Sequence, residues 1–265
     1  MREASKLGLG GHSYMQQLGN DPKPAFEEQC EIVSTCLDNG IRLLDTTYYQ
    51  ERVALGGILE RLGRRGEARI MAWNFFKQPG KENDLVPYTP YEPHHLDIML
   101  EELQTDYIDT LIVHADDDAD GQRREMELAR DWMESGRVGS VALGMAKARH
   151  LDALPEGHPV SGVLAPYNAF DRGAADAFAI AGARGMERMA LSPFVRGWKL
   201  DAIGEDPSEV SGILLRWVAS QDLVDYVIVS MRKSRWVQAN QDAVARGPLT
   251  EEEQARLQGW LARVG

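Results

Sequence analysis

The sequence predicts an α/β protein with a (β/α)8 barrel, or TIM-barrel, architecture, in which eight parallel strands alternate with surrounding helices. Short apolar, β-branched runs alternate along the whole chain with longer segments of helical period, the pattern of parallel β/α units. The length of 265 residues matches the roughly 250 residues typical of such a barrel. No linker or change in composition divides the chain, so we expect one domain over residues 1–265.

The predicted strands are short and rich in branched or small apolar residues. In chain order they are Leu7–Gly10, Arg42–Asp45, Arg69–Trp73, Thr110–His114, Ser140–Leu143, Gly162–Ala165, Arg188–Leu191 and Val227–Val229. The predicted helices between and after them are Phe26–Asn39, Val53–Leu62, Pro93–Leu103, Glu125–Ser135, Ala148–Leu154, Ala174–Arg184, Ser208–Ser220 and Arg235–Arg246. A ninth helix is expected to close the chain, because Thr250 followed by Glu253 forms a capping box. Gly40, Gly136 and Gly185 stand where helices are expected to end.

Charge and composition restrict the expected partners and location. The chain carries 41 acidic and 29 basic residues, a formal net charge of −12, and has no basic stripe, so nucleic acid is not an expected partner. No run approaches the ~18 apolar residues of a membrane span, and the first residues lack a signal peptide's apolar stretch, so we expect no membrane association. Cys30 and Cys36 lie on one predicted helix with a spacing unsuited to a disulfide, which favours reduced thiols and a cytoplasmic location.

Two other kinds of site are not favoured by the sequence. The acidic run Asp116–Asp120 lacks the Gly turn and the distal Glu of a calcium loop, so we interpret it as a solvated loop and expect no metal site. A dinucleotide-binding fold of the Rossmann type needs Gly-x-Gly-x-x-Gly after its first strand. The segment Leu9–Tyr14 lacks that glycine spacing.

Polar residues at the strand ends are the candidate site residues, because chemistry in a (β/α)8 barrel gathers at the carboxyl ends of the strands. The candidates at these strand ends are Asp45, Asn74, His114, Gly144, Tyr167, Ser192 and Ser230. His12 follows the first strand and joins them by position alone. The sequence therefore predicts a pocket built from several separate segments.

Several segments resemble the aldo-keto reductases. The segments are Gly40–Tyr49 with Ala54–Gly56, Leu103–His114, Gly136–Gly144, Pro166–Asn168, Leu191–Phe194 and Leu215–Val218, which follow the family's order from about Ser5 to Leu261. Leu103–His114 is the most specific of them. The resemblance implies a (β/α)8 barrel that reduces aldehydes or ketones with NADPH, using a tetrad of Asp, Tyr, Lys and His.

By resemblance, Asp45 takes the tetrad's Asp position and His114 takes its His position. The tyrosine is either Tyr48 or Tyr49, because this loop is two residues shorter than the family pattern. Counting back seven residues from Leu55 favours Tyr48.

The family's lysine position falls on Asn74, and the nearest lysine is Lys77, beyond the strand end. In the family, the lysine lowers the pKa of a tyrosine that donates a proton to the carbonyl oxygen. A free phenol has a pKa near 10 and is a poor acid at neutral pH. An asparagine can form hydrogen bonds but supplies no positive charge. The resemblance therefore predicts a divergent active site.

The cofactor contacts implied by the resemblance are partly present. Expected NADP-binding residues are Ser192, Phe194, Ser230, Arg232 and Asn240. Arg232 supplies a guanidinium group that suits the 2′-phosphate of NADP. Family contacts to the nicotinamide are replaced at Gly144, Met145, Leu164 and Leu191.

Three functions follow from these patterns. The first is NADPH-dependent reduction of an aldehyde or ketone, with Tyr48 as the acid and His114 polarising the carbonyl. The second is redox-neutral acid/base chemistry, by a lyase or isomerase acting on a hydroxy-carbonyl or sugar-like substrate. The third is a catalytically silent barrel. We expect an oxidoreductase of the first kind, acting on a small-molecule carbonyl substrate.

Overall fold

A computed structural model of the chain describes residues 5–15, 23–81 and 85–265. Eight parallel strands form a closed barrel in chain order, with β1 hydrogen-bonded to both β2 and β8. The strands are β1 Leu7–Leu9, β2 Leu43–Tyr48, β3 Arg69–Phe75, β4 Ile108–His114, β5 Val138–Gly144, β6 Val160–Pro166, β7 Glu187–Leu191 and β8 Tyr226–Val229. The described helices are α1 Phe26–Asp38, α2 Tyr49–Leu62, α3 His95–Leu103, α4 Ala119–Glu134, α5 Ala148–Asp152, α6 Ala175–Ala183, α7 Trp198–Ile203, α8 Pro207–Ala219, α9 Ser234–Ala245 and α10 Glu251–Val264. The predicted (β/α)8 barrel is confirmed.

Helix α2 begins four residues earlier than the sequence pattern predicts, directly after β2. The carboxylate of Glu51 accepts hydrogen bonds from the backbone N–H groups of Thr47, at 2.6 Å, and Tyr48, at 3.2 Å. These N–H groups lie just before the helix and have no partner within it, so the Glu51 side chain caps α2 and stabilises its immediate start. Strand and helix are therefore joined without a loop.

Helix α4 also begins earlier than predicted, at Ala119 instead of Glu125. The side chain of Asp118 accepts a hydrogen bond from the Asp120 backbone N–H at 3.2 Å and caps the helix. Its neighbour Asp117 pairs with Arg149 at 2.7 Å. The short helix α7, Trp198–Ile203, was not predicted from the sequence.

The inside of the barrel is filled by alternate residues of the strands, because successive side chains of a strand point to opposite faces. The buried side chains of this inner cluster belong to Leu43, Met71, Trp73, Ile112, Ala142, Leu164, Met189 and Ile228. In β3, Ile70 and Ala72 belong to the separate core beneath the helices. Trp73 therefore points into the barrel, and Asn74 lies on the other face of the strand.

Polar contacts close the amino-terminal end of the barrel. Arg69, the first residue of β3, forms a two-point ion pair with Glu187, the first residue of β7, and one of its contacts measures 2.8 Å. Arg69 also donates to the Thr110 hydroxyl at 3.3 Å. Cys30 and Cys36 are both buried free thiols. Among the described residues, no helix has the length and apolarity needed to cross a bilayer.

Candidate active site

A cavity of about 1020 Å³ lies at the carboxyl ends of the strands. All eight strand ends contribute to its lining, through residues that include Gly10, Tyr48, Phe75, His114, Met145, Pro166, Ser192 and Ser230. Ligand pockets in proteins commonly measure roughly 300–1,000 Å³. The cavity can therefore hold a ligand of cofactor size.

Three of the residues predicted as catalytic line this cavity: Asp45, Tyr48 and His114. Tyr49 is the first residue of α2 and does not belong to the lining. The register of β2 against β3 shifts between Thr46 and Tyr48. Such an irregularity re-aims side chains relative to strict alternation, so Asp45 and Tyr48 reach the same cavity although three positions separate them.

The hydrogen-bond partner of Asp45 is an indole, not an amide or an ammonium group. Trp73 Nε1 donates to Asp45 Oδ1 at 2.8 Å, and both side chains are almost fully buried.

The sequence predicts Asn74 in the site, but the structure places it elsewhere. Asn74 lies outside the cavity lining, is fully buried, and donates a long hydrogen bond of 3.4 Å to Glu125 of α4. The reason is the period of two along β3, which turns Trp73 inward and Asn74 outward.

Asp45 carries a strongly perturbed carboxyl group. Burial raises its pKa from 3.8 to about 7, and the nearby charge of Glu51 acts in the same direction. Hydrogen bonds from Trp73 and from the Gly11 backbone, and the proximity of His12, oppose that rise. Close to neutral pH, Asp45 therefore exchanges between its neutral and charged forms.

Gly144 makes room for Trp73. A Cβ atom at Gly144 would lie 2.2 Å from Trp73 Cζ3 and 2.6 Å from its Cη2, closer than real Cβ contacts. Any side chain at position 144 therefore competes with the indole for the same space. The glycine at position 144 and the tryptophan at position 73 therefore depend on each other, because the absence of a side chain at 144 leaves the space that the indole occupies.

His114 is held in one tautomer. Its Nδ1 lies 2.9 Å from the carbonyl oxygen of Ala115, which can only accept, so Nδ1 carries the proton. Burial lowers the pKa of His114, which favours the neutral ring with Nε2 as an acceptor. Tyr88 stacks on this ring with centroids 3.9 Å apart, and its hydroxyl donates to Asp116. Tyr88 belongs to the segment between β3 and α3, which thereby contacts the site.

A second histidine, His12, lines the cavity beside Tyr48. The two rings are nearly parallel, at 12°, with centroids 6.0 Å apart. His12 Nδ1 lies 2.9 Å from Oε1 of Glu51, whose side chain is fully buried. Gly11 permits this approach, because a Cβ atom there would lie 2.0 Å from Glu51 Oε2.

Four of the five residues expected to bind the cofactor line the cavity: Ser192, Phe194, Ser230 and Arg232. Asn240, within α9, does not belong to the lining. Ser192 has a φ of 56° and Met145, also in the lining, has a φ of 55°. Left-handed backbone at non-glycine residues costs energy and gathers at functional sites. Asn168 Nδ2 donates to the Ser192 carbonyl at 3.0 Å and holds this conformation.

Arg232 is mostly buried and binds the segment that carries His12. Its Nε donates to the His12 carbonyl at 3.2 Å, and its Nη2 donates to the Met15 carbonyl at 2.9 Å. Of the lining residues that the structure describes, none is a lysine, and Lys77 lies exposed outside the cavity. Arg232 is therefore the one guanidinium group in this described lining.

Sequence reasoning did not identify Trp73 and Glu51 as site residues. The alternation Met71, Trp73, Phe75 along β3 was a usable signal, because it shows that Trp73 and not Asn74 shares the inward face. Glu51 lies three residues after Tyr48, the spacing of a helix-capping carboxylate. Its contact with His12 joins residues 39 positions apart, which no local pattern reveals.

The chain is similar to proteins of known family. A family model described as the aldo/keto reductase family matches residues 6–211. Aldo-keto reductase YhdN from Bacillus subtilis (strain 168) is 25% identical over 178 residues, which are 64% of this chain and 52% of the relative. The chain thus spans about half the length of that curated relative. The solved structure of aldo-keto reductase AKR11C1 from Bacillus halodurans (holo form) matches with a TM-score of 0.79 at 20% identity, covering 97% of this chain and 92% of that one, which shows a shared fold.

Proposed function

The chain belongs to the aldo/keto reductase family, and from that membership we propose that it is an oxidoreductase that reduces a small aldehyde or ketone with NADPH. The observation that carries this proposal is that Asp45, Tyr48 and His114 line one cavity at the mouth of the barrel. Chemistry in (β/α)8 barrels is located at this end.

The lining residues fit a nicotinamide dinucleotide. Gly10 and Ser230 are adjacent, because a Cβ atom at Gly10 would lie 2.7 Å from Ser230 Oγ, so the small residue keeps the serine hydroxyl accessible. Ser192, Ser230 and Arg232 would hold the phosphates through hydroxyl and guanidinium groups. When bound, the reduced nicotinamide supplies a hydride.

In this proposal, the Tyr48 hydroxyl donates a proton to the carbonyl oxygen of the substrate. His114 has a different role from the one that the family resemblance implied. In the neutral tautomer fixed by Ala115, its Nε2 accepts a hydrogen bond, so it would bind a substrate hydroxyl next to the carbonyl and not polarise the carbonyl. A hydroxy-carbonyl or sugar-like compound is therefore the favoured substrate class.

Nucleotide titration followed by turnover assays tests this function. We expect NADPH to bind with a Kd near or below ~10 μM, corresponding to about 7 kcal/mol, followed by oxidation of NADPH in the presence of hydroxy-aldehydes. Tyr48→Phe should abolish turnover while leaving NADPH binding unchanged, and Tyr49→Phe is the matched control that retains turnover. Absence of binding by both NADPH and NADH would exclude a reductase.

A second function, redox-neutral acid/base catalysis by a lyase or isomerase, is favoured by one observation. The group bonded to Asp45 is the uncharged indole of Trp73, so nothing at this point of the described cavity supplies the positive charge that makes a phenol acidic. This function predicts conversion of a hydroxy-carbonyl compound without added nucleotide. The catalytically silent barrel predicts neither nucleotide binding nor conversion of a substrate.

A further inference from the structure

A buried carboxylate and a cavity-lining imidazole form a pair beside Tyr48. Glu51 Oε1 lies 2.9 Å from His12 Nδ1. The Glu51 side chain is fully buried, whereas 23% of the His12 side chain is exposed, and His12 lines the cavity. The pair thus extends from the protein interior to the space where a ligand would lie.

Glu51 is fixed by the fold and not by His12 alone. Its Oε2 accepts hydrogen bonds from the backbone N–H groups of Thr47 and Tyr48, which leaves Oε1 for His12. Gly11 is needed for this packing, since any Cβ there would overlap the carboxylate. A carboxylate that the backbone holds in this way orients the imidazole ring, as the carboxylates paired with other catalytic histidines do.

The contact with Glu51 determines which nitrogen of His12 is available. A carboxylate accepts, so Nδ1 of His12 carries a proton. The remaining nitrogen, Nε2, has no hydrogen-bond partner among the described residues. It can therefore accept a hydrogen bond in the neutral ring and donate one in the imidazolium.

Tyr48 is the neighbour that needs such a group. A phenol is a weak acid at neutral pH and depends on a nearby cation to give up its proton readily. The side chain bonded to Asp45 is uncharged, and His12 lies with its ring nearly parallel to that of Tyr48. We propose that His12 is a catalytic acid/base residue that returns the proton to Tyr48, and that Glu51 is its positioning residue.

This inference rests on the proposed carbonyl reduction, in which one proton and one hydride are added to the substrate carbonyl. The Tyr48 O–H bond breaks and a new O–H bond forms on the substrate oxygen, while a reduced nicotinamide dinucleotide supplies hydride to the carbonyl carbon and is oxidised. The His12 imidazolium gives its Nε2 proton to the Tyr48 oxygen, directly or through one water. Neutral His12 then takes a proton from solvent.

Substitution of His12 tests the catalytic role. His12→Asn should lower kcat by ~10²-fold, the usual contribution of a general acid or base, with KM nearly unchanged. Its matched control is His94→Asn, since His94 also faces a glutamate, Glu92 at 3.5 Å, but at an exposed surface. Exogenous imidazole should restore part of the turnover of His12→Ala, and a purely structural histidine would not respond in this way.

Nitrogen-15 NMR of the histidine rings gives a readout that needs neither nucleotide nor substrate. We expect His12 to carry its proton on Nδ1 in the native protein and to populate both tautomers in Glu51→Gln. The single amide oxygen of that glutamine accepts either from the backbone N–H groups or from His12, and its NH2 group can only donate. Circular dichroism confirms that each variant is folded. Glu51→Asp, which keeps the charge, should recover more turnover than Glu51→Gln.

The outcomes separate the two proposals. If the native enzyme turns over substrate and the kcat of His12→Asn is within threefold of the native value, the role of His12 is overturned and the reductase function remains intact. A native His12 protonated on Nε2 instead of Nδ1 would overturn it as well, whatever the activity. Absence of nucleotide binding removes the proposed reduction and with it this proton relay, even if the pairing of His12 with Glu51 is seen by NMR.

Discussion

Trp73 Nε1 donates a 2.8 Å hydrogen bond to Asp45 Oδ1 inside the barrel mouth. The partner of the aspartate is thus an uncharged, bulky donor that also fills the space above Gly144. Burial raises the pKa of Asp45 and this contact opposes that rise, while the same indole shapes the cavity.

Asp45 should make the protein less stable as the pH rises. Its folded pKa of about 7 exceeds its ordinary value of 3.8, so the folded state holds a proton that the unfolded chain releases between these values. The resulting stability is present below pH 3.8 and is lost as the pH rises through 7. We expect urea unfolding to show that Asp45→Asn loses less free energy of unfolding between pH 5 and pH 8 than the native protein, by on the order of a few kcal/mol.

Trp73→Phe removes a hydrogen bond that lowers the Asp45 pKa, so the decline should extend to higher pH. Glu51 and His12 face the same carboxyl group with opposite effects and remain in both variants. Asp131→Asn, on an exposed position of α4, is the control and should leave the pH dependence unchanged. An equal slope in Asp45→Asn and the native protein would contradict the assignment.

Gly144→Ala should destabilise the protein because its Cβ overlaps the Trp73 ring. We expect a loss of ~1–3 kcal/mol, as for other overpacked sites. In a Trp73→Leu background the same change should cost less, giving a coupling energy of about 0.5–3 kcal/mol in a double-mutant cycle. Gly66→Ala has nothing within 4 Å and serves as the control. Additive effects of the two substitutions would show that the two positions do not share space.

Glu125→Gln should stabilise the protein at pH 8. Burial raises the Glu125 pKa to about 7, so an unfavourable buried charge is present above that pH. The amide oxygen of a glutamine can still accept the Tyr91 backbone N–H now bound at 2.8 Å. We expect a gain of about 1 kcal/mol at pH 8, measured by urea unfolding.

The gain should shrink at pH 5, where Glu125 is protonated and the substitution removes no buried charge. Glu127→Gln, two residues further along α4 and exposed, is the matched control with little change at either pH. A loss of stability at pH 8 would mean that the charged carboxylate is required by its neighbours.

Arg232→Ala should weaken NADPH binding more than NADH binding. Removal of a guanidinium from a phosphate contact is expected to cost on the order of tenfold in Kd for NADPH. NADH binding should weaken less. NADH has no 2′-phosphate, so it is affected only because Arg232 also holds the His12 and Met15 carbonyls in the loop after β1. Fluorescence titration with both nucleotides measures the ratio. Arg235→Ala, at an exposed position of α9, is the control, and equal weakening of both nucleotides would assign Arg232 to loop support alone.

Much of the fold could be predicted from the sequence because its signals are local. Strand and helix periods, helix-ending glycines and the Thr250 capping box each involve residues within a few positions of one another. The placement of His114 at the end of β4 and of Asp45 near the end of β2 followed from the same periods, although β2 continues past Asp45 to Tyr48.

The side-chain partners at the site are decided by tertiary structure. Counting back from Leu55 favours Tyr48 but leaves Tyr49 open, and it is the register shift between β2 and β3 that accompanies the placement of Tyr48 in the cavity. Trp73 meets Asp45 across 28 positions, and Gly144 is small because an indole from another strand occupies its space. Strand periodicity limits which residues face inward, but barrel closure selects which inward-facing residues touch, because packing at contact distance depends on the three-dimensional positions of all strands at once.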